Sequence, residues 1–357
     1  MMKHTLLLKF MGFSEKEIKI FRAGYTGDTA TLDKLKDSHH ISIYCKGAAA
    51  AGNKELVLQC LDKGAYPNRG LNGAAMGGHM DIVLLMLDKG ADPYFGLRGA
   101  AMGGHMDIVQ LMLDKGATDY NAGLRCAAGG GHMDIVQLML SKGATVYNNG
   151  LYYAVKGGYI DIVQLLLSKG ADPDAGLWEA AEGGHMDIVQ FLLSKGATDY
   201  DRGLAGAAWG GHMDIVQLLL SKGADPDKGL EVAAKGGHMD IVQLLLSKGA
   251  TDYDKGLEGA ASGGHMDIVQ LMLSKGANPD AGLWDAAEGG HMDIVKLLLE
   301  KGADPDKGLR GAAQGGHMNI VQLMLSKGAT DLDSALKKAE IWGNTECAEL
   351  IRAAMKK

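Results

Sequence analysis

Apolar and polar positions along the chain recur in one fixed order. The stretch from Lys228, KGLEVAAKGGHMDIVQLLLSKGADPD, shows it: a short segment with Leu230, Ala233 and Ala234, a Gly-Gly pair, then a longer and more apolar run. The residue after Gly-Gly marks each copy as His79, His105, His132, Tyr159, His185, His212, His238, His265, His291 and His317, at intervals of 26 or 27 residues. Asn53 and Asn344 hold that place in weaker copies and Asp28 in a degenerate first one, which makes thirteen units, ten regular and three divergent. A unit this short encloses no core of its own, so each copy must bury its apolar face against the next. The pattern predicts one elongated domain with its function on the surface.

Each unit divides into two helices. In the copy at 174–196, Asp174 stands two residues before Gly176-Leu177, and an Asp or Asn holds that place in every regular unit except the one with Tyr94. A side-chain oxygen there can accept the orphan N–H groups of a first turn, so Asp174 is expected to cap a short first helix at about 175–182. Gly183-Gly184 ends it, since glycine tolerates the left-handed conformation that closes a helix. His185-Met186-Asp187 opens the second helix, with acidic charge in its first turn. Ile188, Val189, Phe191, Leu192 and Leu193 wrap most of that helix, which implies neighbours on both sides. The connections are ADPD-like in the 26-residue spacings and ATDYD-like in the 27-residue ones, too short for a β-hairpin.

The ends break the pattern. Residues 1–52 carry charged stretches where the apolar columns should run and are expected to form an N-terminal cap; 53–330 form the array, and 331–357 a C-terminal cap with Lys337, Lys338 and Arg352. The opening MMKHTLLLKF has too short an apolar run for an export signal or membrane span. Cys45, Cys60, Cys126 and Cys347 share no spacing, which suggests neither a disulfide framework nor a zinc motif and points to a reducing, intracellular and cytoplasmic setting. With 36 basic against 43 acidic residues, overall charge does not favour nucleic acid.

The string Ala-Ala, Gly-His, Asp-Ile-Val, Leu-Leu, Lys-Gly-Ala-Asp resembles the ankyrin repeat, well over 53–357 and poorly before it. The usual ankyrin unit has about 33 residues and opens its first helix with Thr-Pro-Leu-His. Here Gly-Leu-x-x replaces that tetrapeptide, and the loop lacks the residues that form the family's projecting hairpin finger. The resemblance implies an all-α, ankyrin-like helix-pair solenoid with the β-hairpin fingers absent or vestigial. It also implies a groove, lined by the first helices, that binds a protein partner. Similar compact arrays occur in ankyrin proteins of large DNA viruses, which would place this one in a host cytoplasm.

Comparing the ten regular copies with one another shows where variation is allowed. Three positions differ freely: the residue before Gly-Leu, the residue after it, and the residue before Gly-Gly. Their i, i+3, i+7 spacing puts them on one stripe of the first helix, while the Leu and Ala positions stay fixed on another. The candidate partner-binding residues on the free stripe are Arg69, Phe95, Arg98, Arg125, Tyr152, Lys156, Trp178, Glu182, Arg202, Trp209, Glu231, Trp284 and Arg310. The first four units supply Arg69, Arg98, Arg125 and Lys156 with no acid among these positions, and three of the four tryptophans lie on the stripe. Arg, Trp and Tyr are the side chains enriched at interface hot spots. An acidic, extended or helical protein segment is therefore expected to dock along 69–209, carboxylates on the arginines and apolar anchors on Tyr152, Trp178 and Trp209.

Blander readings cover the remaining signals. Marker histidines one helix diameter apart, ~10 Å, cannot share a zinc whose ligands sit ~2 Å away, so they are read as bonding backbone at the turn. The methionines after them are read as packing, and the loop tyrosines Tyr120, Tyr147, Tyr200 and Tyr253 as space-fillers. No Walker loop, His-Glu-x-x-His, Gly-x-Ser-x-Gly or Cys-x-x-Cys occurs, and each catalytic-looking Asp recurs at a cap position. The expectation is a non-enzymatic, monomeric interaction scaffold with no cofactor, no nucleic acid and no membrane. The alternative is a structural or self-associating assembly protein, which light scattering would separate.

Overall fold

The computed structural model describes residues 14–356. The N-terminal decapeptide, and with it the expectation that it is neither a signal nor a span, lies outside the described residues, as do the first residues of the N-terminal cap. The described residues form 26 α-helices, one 3₁₀ turn and no strand, arranged as thirteen helix pairs of an all-α solenoid without hairpin fingers.

The pairs fall into two compact units, 1–175 and 176–357. In the N-terminal unit the described chain begins with Glu15–Thr26 paired with Thr29–Lys34, then Ser38–Ala50 with Lys54–Asp62. The expected edge of the cap, at 52, therefore falls on the turn inside the second pair. Four regular pairs follow, with first helices Pro67–Gly77, Pro93–Gly103, Tyr120–Gly130 and Tyr147–Lys156. The C-terminal unit runs from Leu177–Glu182, paired with Met186–Ser194, to Leu332–Ile341, paired with Thr345–Ala354.

Six side chains per regular pair form the core. Around the central copy they are Leu230, Ala233 and Ala234 from the first helix and Ile241, Val242 and Leu245 from the second, all with no exposed area. Each Ile, Val or Leu so buried stabilises the fold by ~1.5–3 kcal/mol, and the two alanines let the first helices approach. The second helix is less enclosed than its apolar content suggests. Ile188, Val189 and Leu192 are buried, whereas Phe191 and Leu193 are only half-covered.

The Gly-Gly-His segment joins one repeat to the next. Gly237 takes the left-handed conformation (φ 77°), and the His238 N–H returns to the Ala233 carbonyl at 3.0 Å, which closes the first helix. The His238 ring lies between two glycines: a Cβ on Gly236 of its own repeat, or on Gly211 of the preceding one, would sit within 2.7 Å of ring carbons. Its Nε2–H donates to the Trp209 carbonyl at 3.2 Å, satisfying an orphan acceptor at the end of the preceding first helix. His79, His105, His132, His212, His265, His291 and His317 make the equivalent bond. The histidines thus bond backbone, as expected, but the backbone of the neighbouring repeat. Tyr159 fills the slot with a phenol ring against Gly131 and Gly157, and Asn344 fills it with an amide that donates to the Ala313 and Gln314 carbonyls.

The expected cap residue has a different task. Eight of the ten regular first helices begin two residues earlier than the equivalents of Asp174 suggest, at a Pro or a Tyr, and six of these are capped by Asp92, Asp119, Asp199, Asp252, Asn278 and Asp304; in the copy of Asp174 itself a 3₁₀ turn, Pro173–Gly176, precedes the helix, and another first helix begins at Asp227. Tyr120, Tyr147, Tyr200 and Tyr253 are accordingly first residues of helices, not loop fillers. The Asp or Asn two residues before Gly-Leu instead reaches forward to the next repeat. Asn68 accepts from the Asp92 N–H (2.8 Å), Asn121 from Thr145 (2.8 Å) and Asp201 from Asp225 (2.7 Å). Asp227 and Asp306 accept two such N–H groups each. These bonds to Asp306, chiefly that from Asp331, hold its carboxyl below the usual range.

Candidate binding surface

The two stripes of the first helix separate as the spacing predicts. The fixed stripe is buried, and none of the thirteen candidate residues is. Two other members of the free stripe depart from this: Met76 and Ala122 are buried, at 5% and 1% exposure. The candidates divide between the units, Arg69, Phe95, Arg98, Arg125, Tyr152 and Lys156 in the N-terminal one and the other seven in the C-terminal one.

In the N-terminal unit the repeat register runs back further than the regular copies. Gly47-Ala48-Ala49 aligns with Gly73-Ala74-Ala75, which puts Lys46 in the column of Asn72, Arg98 and Arg125. Sequence reasoning missed Lys46 because it stopped at the regular copies; following the Gly-Ala-Ala triplet one unit further would have found it. Lys46 is 1% exposed, and burial, reinforced by the nearby Arg69 and Arg98 charges, lowers its pKa to about 7. Gly73 and Gly99 let their helices close on the preceding one, where an added Cβ would collide with the Lys46 and Asn72 carbonyls. The next residue in that glycine column is Cys126, which is buried.

Arg98 is held by Tyr94. Its guanidinium lies 5.6 Å from the centre of the Tyr94 ring, with Nη1 donating to the Tyr94 hydroxyl at 3.2 Å. Tyr94 itself rests edge-on against Phe95. Burial pushes the Cys126 thiol up, while Arg98, Arg125 and Lys46 pull it the other way. Arg125 forms no ion pair or hydrogen bond with a described residue, and Arg98 pairs with no carboxylate. Lys156 lies over the Tyr152 ring at 5.7 Å, and Tyr152 packs edge-on against Tyr153.

In the C-terminal unit the charges on the first helices answer one another. Lys255 pairs with Glu258, Arg310 with Asp331, and Lys307 with Asp280 at 3.4 Å. Gln314 donates to Glu288 at 2.6 Å, and the Trp178 indole N–H to Glu182 at 3.2 Å. Trp209 is 40% exposed, and Arg202 and Glu231 face solvent. Arg202, Lys235 and Asp285 form no ion pair with a described residue; burial, then the Glu258 and Glu288 charges, raise the Asp285 pKa to about 6. Among the described residues no three His, Cys, Asp or Glu side chains are grouped as a metal ion requires, and no helix is long and apolar enough to cross a membrane.

A family model of ankyrin repeats, three copies long, matches residues 97–176, 204–282, 230–308 and 283–356, and a single-repeat model matches 177–202. The chain belongs to the ankyrin repeat family. Ankyrin repeats are generally protein–protein interaction modules, and proteins built from them are typically non-catalytic scaffolds. No curated protein matches the sequence. Among solved structures it is similar to the human ASB11 ankyrin repeat domain, at 23% identity over 49% of this chain and 96% of that one, with a TM-score of 0.38.

Proposed function

We propose that this chain is a non-catalytic recognition scaffold that binds a partner protein along the free stripe of its first helices. In the N-terminal unit the partner presents an acidic segment to Arg98 and Arg125, flanked by Tyr152 and Lys156. The observation that carries this is the contrast within single helices: the fixed stripe is buried, while the variable one displays two arginines that no carboxylate of the described chain neutralises. Arginine at such a position is a hot-spot side chain, and an unpaired guanidinium pair favours anionic partners over neutral ones. The four cysteines are buried free thiols, which fits a reducing cellular interior. The chain acts as a monomer, and a molar mass that rises with concentration in light scattering would favour the self-associating alternative.

The test is a charge reversal. The protein with Arg98→Glu and Arg125→Glu should melt as the parent does and no longer capture its partner from cell extract. Capture at the parent's level by the folded double variant would overturn the reading.

A further inference from the structure

The outer face of the second helices carries a departure from the repeat that the first-helix stripe does not explain. Five residues after the marker, eight of the ten regular copies have Gln and a ninth has Lys296. Two adjacent units have leucine there instead, Leu84 and, after the marker Asn53, Leu58. Both face solvent, Leu58 at 41% and Leu84 at 51% exposure, and their neighbours along the helices, Leu61, Met80 and Leu87, are only half-covered. A single exposed leucine is ordinary on a protein surface; two in one column of neighbouring repeats make a patch. Lys54 of one helix reaches Asp81 of the next at 3.4 Å, so the two helices lie side by side.

The same two units, with the one after them, also exchange a neutral residue for an acid. Asp62, Asp88 and Asp114 stand where the next six repeats have Ser. Glu55 and Asp62 lie three residues before and four after Leu58, and Asp81 and Asp88 do the same around Leu84, so acids flank both leucines on the outer face. Glu55, Asp62 and Asp88 are exposed and pair with no cation among the described residues. The lysines that end these helices, Lys63 and Lys89, come five residues after the leucines, which turns them ~140° away. Lys63 is also taken by Asp33, at 3.5 Å.

We propose that Leu58 and Leu84 form a second docking surface, which takes a basic amphipathic helix of a partner protein. Neighbouring second helices lie ~10 Å apart, and residues seven apart on a helix are separated by about the same distance, so one apolar side chain of the partner helix meets each leucine. Lysine or arginine beside those anchors then meets Glu55, Asp62 and Asp88. The acids repel an anionic lipid surface, and a second copy laid face to face would bring like charges together. This surface uses no residue of the first-helix stripe.

The experiment presents the full chain with a displayed library of alanine-based helices of about 20 residues. Two positions seven apart vary among Ala, Leu, Met and Phe, and the positions around them vary between Lys and Glu. The parent should enrich members with a large apolar residue at both positions and Lys around them. Leu58→Gln with Leu84→Gln installs the residue that most copies have; it should melt as the parent does and retain those members roughly tenfold less. The Arg98→Glu, Arg125→Glu protein should retain them. Retention by the folded glutamine variant at the parent's level, enrichment of Glu over Lys, or no enrichment at all would overturn the proposal. Loss of the same members from the folded arginine variant would place their site on the first-helix stripe and overturn it as well. Tighter retention of phosphatidylserine vesicles than of the selected helices would assign the patch to lipid, and a molar mass that rises with concentration in the parent but not in the glutamine variant would assign it to a second copy. Either outcome would overturn the partner helix.

Discussion

The two units share every packing device and differ in what their first helices display. In both, the same six positions fill each regular pair, the last of them Leu or Met, and in most repeats the same imidazole joins one to the next. On the surface the N-terminal unit leaves Arg98 and Arg125 without a carboxylate and encloses Lys46, whereas the C-terminal unit pairs Lys255, Lys307 and Arg310 with acids. What this teaches is that the scaffold leaves the free stripe unconstrained. Charge can be left open in one place and closed in another without disturbing the core.

The largest effect that would break the comparison is on binding. Reversing Arg98 and Arg125 should weaken capture of an acidic peptide by about 3 kcal/mol, roughly a hundredfold. Reversing Lys255 and Arg310 should leave it unchanged, since those charges already have partners. Equal losses from the two pairs, measured by fluorescence anisotropy, would mean that the units do not differ in the way described.

Next comes the enclosed cation. The folded pKa of Lys46 lies near 7, below its ordinary 10.5, so folding disfavours the charged form. The unfolded chain binds the extra proton between those values, and stability therefore rises with pH from about 7 to 10 and is lowest below 7. Lys46→Met removes that cost together with the contact the ammonium makes, so the expected signature is a slope: relative to the parent, the variant should be more stable at pH 6.5 than at pH 10. Urea melts at the two pH values check the sign. A relative stability that does not fall between them would mean that folding does not disfavour the charged lysine.

Most of the fold was legible in the sequence because a repeat states each of its rules many times. The Leu, Ala, Ile and Val columns, the Gly-Gly reversal and the structural use of histidine all recur, so each was tested against ten copies. The Asp before Gly-Leu misled because carboxylates cap helices and also clip neighbouring loops. Sequence spacing alone does not distinguish an acceptor facing its own helix from one facing the next repeat. Within the site, Arg98 and Arg125 were visible as free positions, but Lys46, Tyr94 and Cys126 were not. Tyr94 is the one exception among the regular copies to its Asp or Asn column, and what makes it matter is that the fold lays it against Arg98; Lys46 lies one unit before the regular copies, and Cys126 stands in a column that already varies.

The shared scaffold predicts equal costs in both units. His105→Ala and His238→Ala each remove an Nε2–H donor from a carbonyl of the preceding repeat, that of Met76 and of Trp209, both at 3.2 Å. Each should lower stability by ~1–2 kcal/mol, the cost of the lost bond, part-buried at Met76 and exposed at Trp209, together with the lost ring contact. Asn in the same place should recover part of the loss, because Asn344 already fills the slot by donating to two carbonyls. Peptide binding should be untouched by either change. A clear difference between the two sites would show that the repeats are not joined alike.

The smallest effect is the mirror image of Lys46. In the C-terminal unit burial and the Glu258 and Glu288 carboxylates raise Asp285 from its ordinary 3.8 to about 6, so the folded state holds a proton that the unfolded chain has released. Stability should fall as pH rises from about 4 to 6, and the full cost should be present above 6. Because the side chain is only half-buried, solvent screening limits that cost to about 1 kcal/mol. Asp285→Asn keeps the shape and removes the charge, so it should raise the melting temperature at pH 7.5 and leave it unchanged near pH 4. The same scans on Lys46→Met should give the opposite slope at higher pH. If the gains of both variants changed with pH in the same direction, the two groups would not carry burial costs of opposite sign.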